Sequence, residues 1–193
     1  MTRIIAGEAR GRTIKVPTEG TRPTADRARE GLFSSLAARW GFAGSSVLDL
    51  FAGSGALGLE AASRGAEEIV LVESSVDAVK IIRHNMGVVK HPGVRVQEMK
   101  VGTYLGSAPR RHFDLVLADP PYAFDEVDEL IAAIEPVLCD HAMVVIERHV
   151  DSAATAWPAG FEPTSQKLKK RTFGIARMDM AVYTRPGSEE PED

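Results

Sequence analysis

The chain has one cysteine, Cys139, among 193 residues and no long apolar run, and each shortage excludes a class of protein. A single thiol cannot form an internal disulfide, so we expect Cys139 to be a small buried or incidental thiol. No apolar run reaches the length that spans a membrane, about 20 residues. The start of the chain has no apolar signal core, so we expect a cytoplasmic protein that uses no membrane.

Metal-binding spacing is also missing from the sequence. The histidines are His84, His91, His112, His141 and His149. They show neither the paired spacing of a metal site nor a cysteine partner, so we expect surface or structural roles for them. The sequence therefore predicts an activity that needs no metal.

The charge of the chain is unevenly distributed. The formal net charge is −4, which argues against a nucleic-acid partner, but residues 1–40 carry eight basic and four acidic side chains. A second basic cluster lies later in the chain, at Lys167, Lys169, Lys170 and Arg171. Basic patches on an acidic body can bind phosphate groups locally, with ordinary solvated faces as the alternative if charge is considered alone.

Apolar runs alternate with helical spacing through most of the chain. Strands are predicted at residues 47–50, 69–73, 94–98, 113–118 and 143–147. Helices are predicted at residues 24–40, 56–64, 76–86 and 126–138. This alternation predicts an α/β fold whose parallel sheet is covered on both faces.

Both ends depart from that alternation. Residues 3–5 and 12–16 are predicted to form an N-terminal hairpin, and residues 165–171 and 176–185 a second hairpin that adds antiparallel strands at one sheet edge. We expect a basic hairpin and connector at 1–23, one catalytic domain at 24–186 and a disordered acidic tail at 187–193.

A glycine-rich turn follows the first strand of the predicted sheet. Gly53, Gly55 and Gly58 match G-x-G-x-x-G, and an acidic residue, Glu73, closes the next strand. That is also the pattern of NAD-binding proteins. Asp49 favours a different cofactor, because a carboxylate disfavours a pyrophosphate and favours the sulfonium and ammonium groups of S-adenosylmethionine.

The tetrapeptide Asp119-Pro120-Pro121-Tyr122 ends a later strand. It offers a carboxylate and a rigid carbonyl that can accept hydrogen bonds from a planar amino group, beside an aromatic face on which a base can stack. A strand-ending turn is the alternative, because proline is a turn residue. Together with the glycine turn, the tetrapeptide predicts an amino-methyltransferase.

Four segments carry a resemblance to a known family: residues 3–7, 21–27, 49–61 and 119–122. The chain, to about Tyr183, closely resembles the RsmD family, bacterial guanine-N2 methyltransferases of small-subunit ribosomal RNA. The resemblance implies a Rossmann-like class I methyltransferase with a mostly parallel, seven-stranded sheet. It also implies S-adenosylmethionine as the methyl donor and 16S ribosomal RNA, within the small subunit or its precursor, as the partner.

The resemblance and the residue chemistry together give three sets of candidate residues. The catalytic candidates are Asp119, Pro120, Pro121 and Tyr122. The cofactor-binding candidates are Asp49, Phe51, Ala52, Gly53, Ser54, Gly55, Leu57, Glu73 and Ser74. The RNA-binding candidates are Arg10, Arg12, Lys15, Arg22, Thr24 and Arg27.

The chain departs from the family at Ala6, where Gly is frequent, and after the third strand. There it reads Glu98-Met99-Lys100-Val101, where many members carry Asp or Asn near the cofactor adenine. Adenine recognition is therefore expected from backbone groups and apolar contact.

Other functions stay open at this point. DNA adenine and protein glutamine methyltransferases resemble Asn-Pro-Pro-Tyr more often, so Asp119 weighs against them. A non-catalytic RNA-binding assembly factor leaves the intact glycine turn unexplained.

Two structural expectations accompany these assignments. The tip of the N-terminal hairpin is expected to project away from the catalytic sheet, so that its removal leaves donor binding intact. Glu147 and Arg148 end an apolar strand, where active-site residues often lie, but a salt bridge at the sheet edge is the favoured interpretation.

Overall fold

The computed structural model describes residues 1–17, 23–165, 167 and 171–187, except the side chains of residues 23–25. Lys169, Lys170, most of the expected connector and nearly all of the expected acidic tail lie outside these residues. Within the described residues, no helix combines the length and apolar character that crossing a membrane requires.

The strands in this part of the chain include two short ones that precede the first helix. They are β1 (Thr2–Arg3), β2 (Thr13–Ile14), β3 (Ser46–Leu50), β4 (Glu68–Glu73), β5 (Val94–Glu98), β6 (Phe113–Ala118), β7 (Leu138–His149), β8 (Phe161–Pro163), β9 (Thr172–Phe173) and β10 (Ala176–Tyr183). β1 and β2 pair antiparallel, which confirms the predicted N-terminal hairpin.

The central sheet has the strand order β5-β4-β3-β6-β7-β10-β8. The first five strands of that order run parallel, and β10 runs antiparallel to both β7 and β8. β9 pairs antiparallel with the start of β10 and adds an eighth strand off this path. The predicted mostly parallel seven-stranded sheet with an added antiparallel hairpin is confirmed.

Helices cover both faces of the sheet, as expected. They are α1 (Pro23–Arg39), α2 (Ala56–Ser63), α3 (Val76–Val89), α4 (Val101–Ser107) and α5 (Val127–Ile134), with a 3-10 turn at Glu135–Val137. The first three helices and the hairpin pack on one face, where Leu117 and Val145 are buried. α4 and α5 pack on the other face against Val116 and Val144. We call these the α1 face and the α5 face.

Several predicted boundaries were wrong. The helix predicted to run to residue 138 ends at Ile134, because Pro136 has no amide hydrogen to continue it. The strand predicted at residues 165–171 is absent at Ser165 and Arg171, and the hairpin uses Thr172–Phe173 instead. α4 and β8 were not predicted at all.

The N-terminal hairpin packs flat on the α1 face. Ile4 and Ile14 belong to the core there and are 1% and 0% exposed. At the tip, Glu8 N–H donates to the Ser63 carbonyl at 2.8 Å, and a Cβ built on Gly7, whose φ is 83°, would lie 1.6 Å from the same oxygen. The expectation that the tip projects away from the sheet was wrong, because its turn is docked on the end of α2.

Glu60 of α2 binds the backbone of the hairpin through hydrogen bonds. Its side chain is 0% exposed and accepts hydrogen bonds from the backbone amides of Ile5 and Ala6 at 2.8 and 3.0 Å. Arg64 pairs with it at 2.9 Å, and Arg29 approaches it at 3.9 Å. A buried carboxylate is stable only when such partners replace its water, so α2 and the hairpin form one unit.

Candidate active site at the carboxyl edge of the sheet

The glycine turn joins β3 to α2 through a run of left-handed backbone. Phe51, Gly53 and Gly55 have φ angles of 58°, 57° and 76°. The turn is tied to β4, because Ala52 N–H donates to the Val72 carbonyl at 3.0 Å. A Cβ built on Gly53 would meet no protein atom nearer than 4.0 Å, so the backbone at this point is open to a ligand.

The remaining loop candidates lie around this opening. Ser54 is buried, Leu57 is half-buried in the first turn of α2, and Ser74 is exposed just after β4. The Phe51 ring meets the Phe124 ring edge-on, with 5.4 Å between centroids. Two separate loops, after β3 and after β6, are thereby brought together at one edge of the sheet.

Asp49 is a buried carboxylate beneath the glycine turn. Its side chain is 1% exposed, and its Oδ2 accepts a hydrogen bond from Gly58 N–H at 2.9 Å. Its Oδ1 is buried without a hydrogen-bond partner among the described residues. Burial, together with the charges of Asp119 and Glu73, raises the pKa of Asp49 to about 7 against the effect of the Gly58 bond. An unsatisfied buried acceptor of this kind fits a cationic or hydrogen-donating ligand.

Glu73 ends β4 and holds the backbone on both sides of the opening. Its carboxylate accepts hydrogen bonds from Gly53 N–H at 2.9 Å and from Ser75 N–H at 2.8 Å. A carboxylate has about four acceptor positions, so Glu73 retains capacity for two more donors. It therefore both shapes the loop and can bind ligand hydroxyl groups.

Asp119 lies just beyond the end of β6. Its N–H extends the pairing with β3 by donating to the Leu50 carbonyl at 3.3 Å. The residue is open to solvent, but the surrounding protein lowers the solvation of its carboxylate and raises the pKa of Asp119 to about 6. In the turn that follows, Pro120 is buried, and Phe124 N–H donates to the Pro121 carbonyl at 2.8 Å.

Tyr122 is exposed at this edge, with 49% of its surface accessible. Its hydroxyl donates to Glu147 Oε1 at 3.3 Å, and its ring meets the His149 ring edge-on at 5.3 Å. A large aromatic face open to solvent beside a carboxylate is suited to stacking a planar base.

Glu147 lies at the same edge of the sheet, a position for which the sequence made an active-site role the less favoured interpretation. Among the described residues, no salt bridge to Glu147 or Arg148 lies within 4.0 Å, and the expected salt bridge at the sheet edge stays a prediction. Burial and the charge of Asp119 raise the pKa of Glu147 to about 7 against the effect of the Tyr122 hydroxyl. The available signal was its position at the end of a strand next to that of Asp119, which requires knowing the strand order.

The RNA-binding candidates are distributed between the hairpin and α1. Arg10, Lys15 and Arg27 are exposed. Arg12 donates to the carbonyls of Val88 and Val89, which end α3, at 3.0 and 2.8 Å. Arg22 and the side chain of Thr24 lie outside the described residues. In the second basic cluster, Arg171 is paired with Asp179.

The strand order and the two loops at its carboxyl edge define a class I methyltransferase fold. More narrowly, the chain belongs to the family described as Conserved hypothetical protein 95, whose model matches residues 2–181. The resemblance to the RsmD family is thereby confirmed.

Relatives and a solved structure agree with this placement. The Escherichia coli (strain K12) protein named Ribosomal RNA small subunit methyltransferase D is 36% identical over 86% of this chain and 84% of its own length. The Haemophilus influenzae protein of the same name is 32% identical over 90% of this chain and 89% of its own. The solved structure of the Escherichia coli protein yhhF has a TM-score of 0.82 and 32% identity, covering 95% of this chain and 98% of that one.

Proposed function

We propose that the protein transfers a methyl group from S-adenosylmethionine to the exocyclic N2 of a guanine in 16S ribosomal RNA. The observation that carries this is the meeting of the glycine turn and the Asp119–Tyr122 turn at adjacent strand ends. The names of the relatives support ribosomal RNA of the small subunit as substrate. We propose accordingly that the protein works in the cytoplasm and that its active site uses no metal.

The acidic character of the site supports this donor. Asp49, Glu73 and Asp119 repel one another, which contributes to the raised pKa of Asp49. A pyrophosphate would add negative charge there, whereas a sulfonium and an ammonium relieve the repulsion. The unpartnered Asp49 Oδ1 and the free acceptor positions of Glu73 are suited to an ammonium and to ribose hydroxyls respectively.

The donor supplies a methyl group on a positively charged sulfur, which is a good leaving group. The main task of the protein is then to align the target nitrogen, whose lone pair is delocalised into the guanine ring. Asp119 and the Pro120 carbonyl accept hydrogen bonds from the amino group and favour its pyramidal, nucleophilic form. Asp119 takes the proton that the nitrogen loses, and Tyr122, with Phe124 beside it, stacks on the extruded base.

The basic residues of the hairpin and α1 are proposed to bind RNA phosphates. Lys15 is exposed, and its backbone is joined through Asn85 to Ser54 of the glycine turn. A phosphate held by Lys15 would therefore lie close to the catalytic edge. Arg10 and Arg27 are exposed and are proposed to bind phosphates as well. Arg12 is proposed to do so while it also donates to the carbonyls that end α3. Arg22 and Thr24 are proposed from the sequence alone.

The test is a map of modified nucleotides in ribosomal RNA from cells lacking this protein. We expect one guanine to lose its N2 methyl group and to regain it with the wild-type gene or with a matched Asp128→Ala control, whose aspartate is exposed on α5. Asp119→Ala should not restore it. An unchanged ribosomal RNA, with methylation lost from DNA or from a protein glutamine instead, would establish the alternative substrates.

A further inference from the structure

Acidic side chains line the carboxyl ends of four adjacent strands on the α1 face. Their order across the sheet is Glu73 on β4, Asp49 on β3, Asp119 after β6 and Glu147 on β7. The proposed function uses the first three. Glu147 stands at the end of the row that is farthest from Glu73, and it has no assigned role.

The sheet register places Glu147 beside Asp119. Ala118 pairs with Ile146, so the next residues along the two parallel strands are Asp119 and Glu147, about 4.8 Å apart at the backbone. Side chains alternate along a strand, and Val145 faces the α1 face, so Glu147 faces the same way. Leu117 also faces the α1 face, so Asp119, two residues later, faces it as well.

The proposed reaction determines which part of the substrate reaches β7. The target nitrogen lies at Asp119 and points toward the donor over β3 and β4, so the body of the base extends the other way, over β7. Tyr122 occupies that side, with its hydroxyl on Glu147 and its ring against His149. The guanine atom next to the amino-bearing carbon on the Watson–Crick edge is N1, which carries a hydrogen.

We propose that Glu147 is a specificity-determining residue that accepts a hydrogen bond from guanine N1–H while Asp119 holds the neighbouring amino group. Two carboxylates side by side match two adjacent donors, an arrangement that guanine offers and adenine does not. This inference rests on the proposed guanine-N2 methyl transfer and adds the means by which the base is selected.

The other groups around Glu147 are consistent with an acceptor role. On β10, Met178 pairs with it and brings no charge, and Arg148 and Arg177 lie on the α5 side of the sheet. Burial, and next to it the charge of Asp119, raises the pKa of Glu147 to about 7, so a donor placed against this carboxylate stabilises its ionised form.

The test compares two target bases at pH 8. Small-subunit RNA carries either guanine or 2-aminopurine at the nucleotide that the wild-type protein methylates, presented as free RNA and as reconstituted particles. 2-Aminopurine keeps the amino group but has no N1–H and no O6. We expect the wild-type protein to prefer guanine by roughly 10–100-fold in kcat/KM, the effect of one hydrogen bond to a charged group.

Glu147→Gln should lower this preference by at least about tenfold, because it removes the ionised acceptor and keeps the shape. Loss of O6 affects both proteins alike, so the change in preference isolates N1–H. Glu147→Asp should keep part of the preference, and Glu162→Gln, an exposed glutamate on β8, should keep all of it.

Donor affinity and melting temperature of each variant show whether it is folded. An equal preference in wild-type protein and Glu147→Gln would overturn the role of Glu147 and leave the proposed function intact. Equal use of both bases by the wild-type protein would do the same. Absence of any transfer to guanine by the wild-type protein would overturn both.

Discussion

The side-chain amide of Asn85 on α3 donates a hydrogen bond to the Ser54 carbonyl of the glycine turn at 2.9 Å. The same side chain pairs with the backbone of Lys15, accepting from its N–H and donating to its carbonyl, both at 2.8 Å. Asn85 is 0% exposed. One buried amide thus fixes the glycine turn and the N-terminal hairpin relative to each other.

Replacing Asn85 with Ala should destabilise the protein by about 2–4 kcal/mol, because it leaves three backbone groups without their partner. Affinity for S-adenosylmethionine should fall as well, since the glycine turn loses one of its anchors. Chemical denaturation and calorimetry measure the two effects. His84→Ala, at the exposed position just before Asn85 in α3, is the control and should change neither stability nor donor affinity. Normal donor affinity in a destabilised Asn85→Ala protein would show that donor binding by the glycine turn does not depend on its hydrogen bond from Asn85.

Deletion of residues 1–17 should lower the melting temperature and weaken donor binding together. The hairpin buries Ile4 and Ile14, and its Ile5 and Ala6 amides donate to Glu60, so its removal exposes core and takes two of the hydrogen-bond donors from a buried carboxylate. Arg10→Ala with Lys15→Ala, which removes charge only, should instead leave melting unchanged, weaken RNA binding and flatten its salt dependence. A truncated protein with unaltered melting temperature would contradict the packing described above.

Glu73→Ala should weaken S-adenosylmethionine binding by about 1–3 kcal/mol, as expected for loss of a charged acceptor. The substitution also removes the acceptor of the Gly53 and Ser75 amides, so hydrogen exchange of the Gly53 amide should become faster in the protein without donor. Glu67→Ala provides the comparison, because this exposed residue immediately precedes the same strand, at the end opposite Glu73. Equal affinities in the two variants would remove Glu73 from the donor site.

The raised pKa of Asp49 gives a stability prediction with a definite sign. Its pKa is about 7 in the folded protein against 3.8 as the ordinary value, so the folded state keeps a proton that the unfolded state releases between those values. The stabilisation is therefore full below about pH 4 and is lost as pH rises through 7. Raised pKa values at Asp119 and Glu147 act in the same direction.

Asp49→Asn should accordingly melt higher than the wild-type protein at pH 8, by roughly 2–8 °C, and the difference should shrink at pH 5. It should bind S-adenosylmethionine more weakly, since the cation loses its buried carboxylate. Asp128→Asn, exposed on α5, should show neither effect. A lower melting temperature for Asp49→Asn at pH 8 would contradict the unfavourable ionisation of Asp49.

Much of the fold follows from local patterns in the sequence. β3, β4, β5 and β6 are short apolar runs between helical segments, and their positions were predicted within about one residue of the observed bounds. β8 was missed because three residues acquire strand character only by pairing with β10. α4 was missed because Gly102 and Gly106 lower its helix propensity, and its packing against α5 compensates.

Some candidate site residues could likewise be predicted from local sequence, and others could not. Asp119 and the glycine turn stand at the ends of apolar runs, where the sequence marks them. The roles of Glu147 and Asn85 depend on neighbours far along the chain: Glu147 on the register of β6 with β7, and Asn85 on the docking of β2. Glu60 is a charged residue that is fully buried, which a helix pattern alone does not predict.

The most direct test of the central claim is the nucleoside product formed in vitro. Purified protein is incubated with labelled S-adenosylmethionine and small-subunit RNA or particles, and the digested RNA is analysed by mass spectrometry. We expect label in N2-methylguanosine from the wild-type protein, and a loss of at least about 100-fold in Asp119→Ala with donor binding retained. Label in another nucleoside, or equal N2-methylguanosine from Asp119→Ala, would contradict this account of the active site.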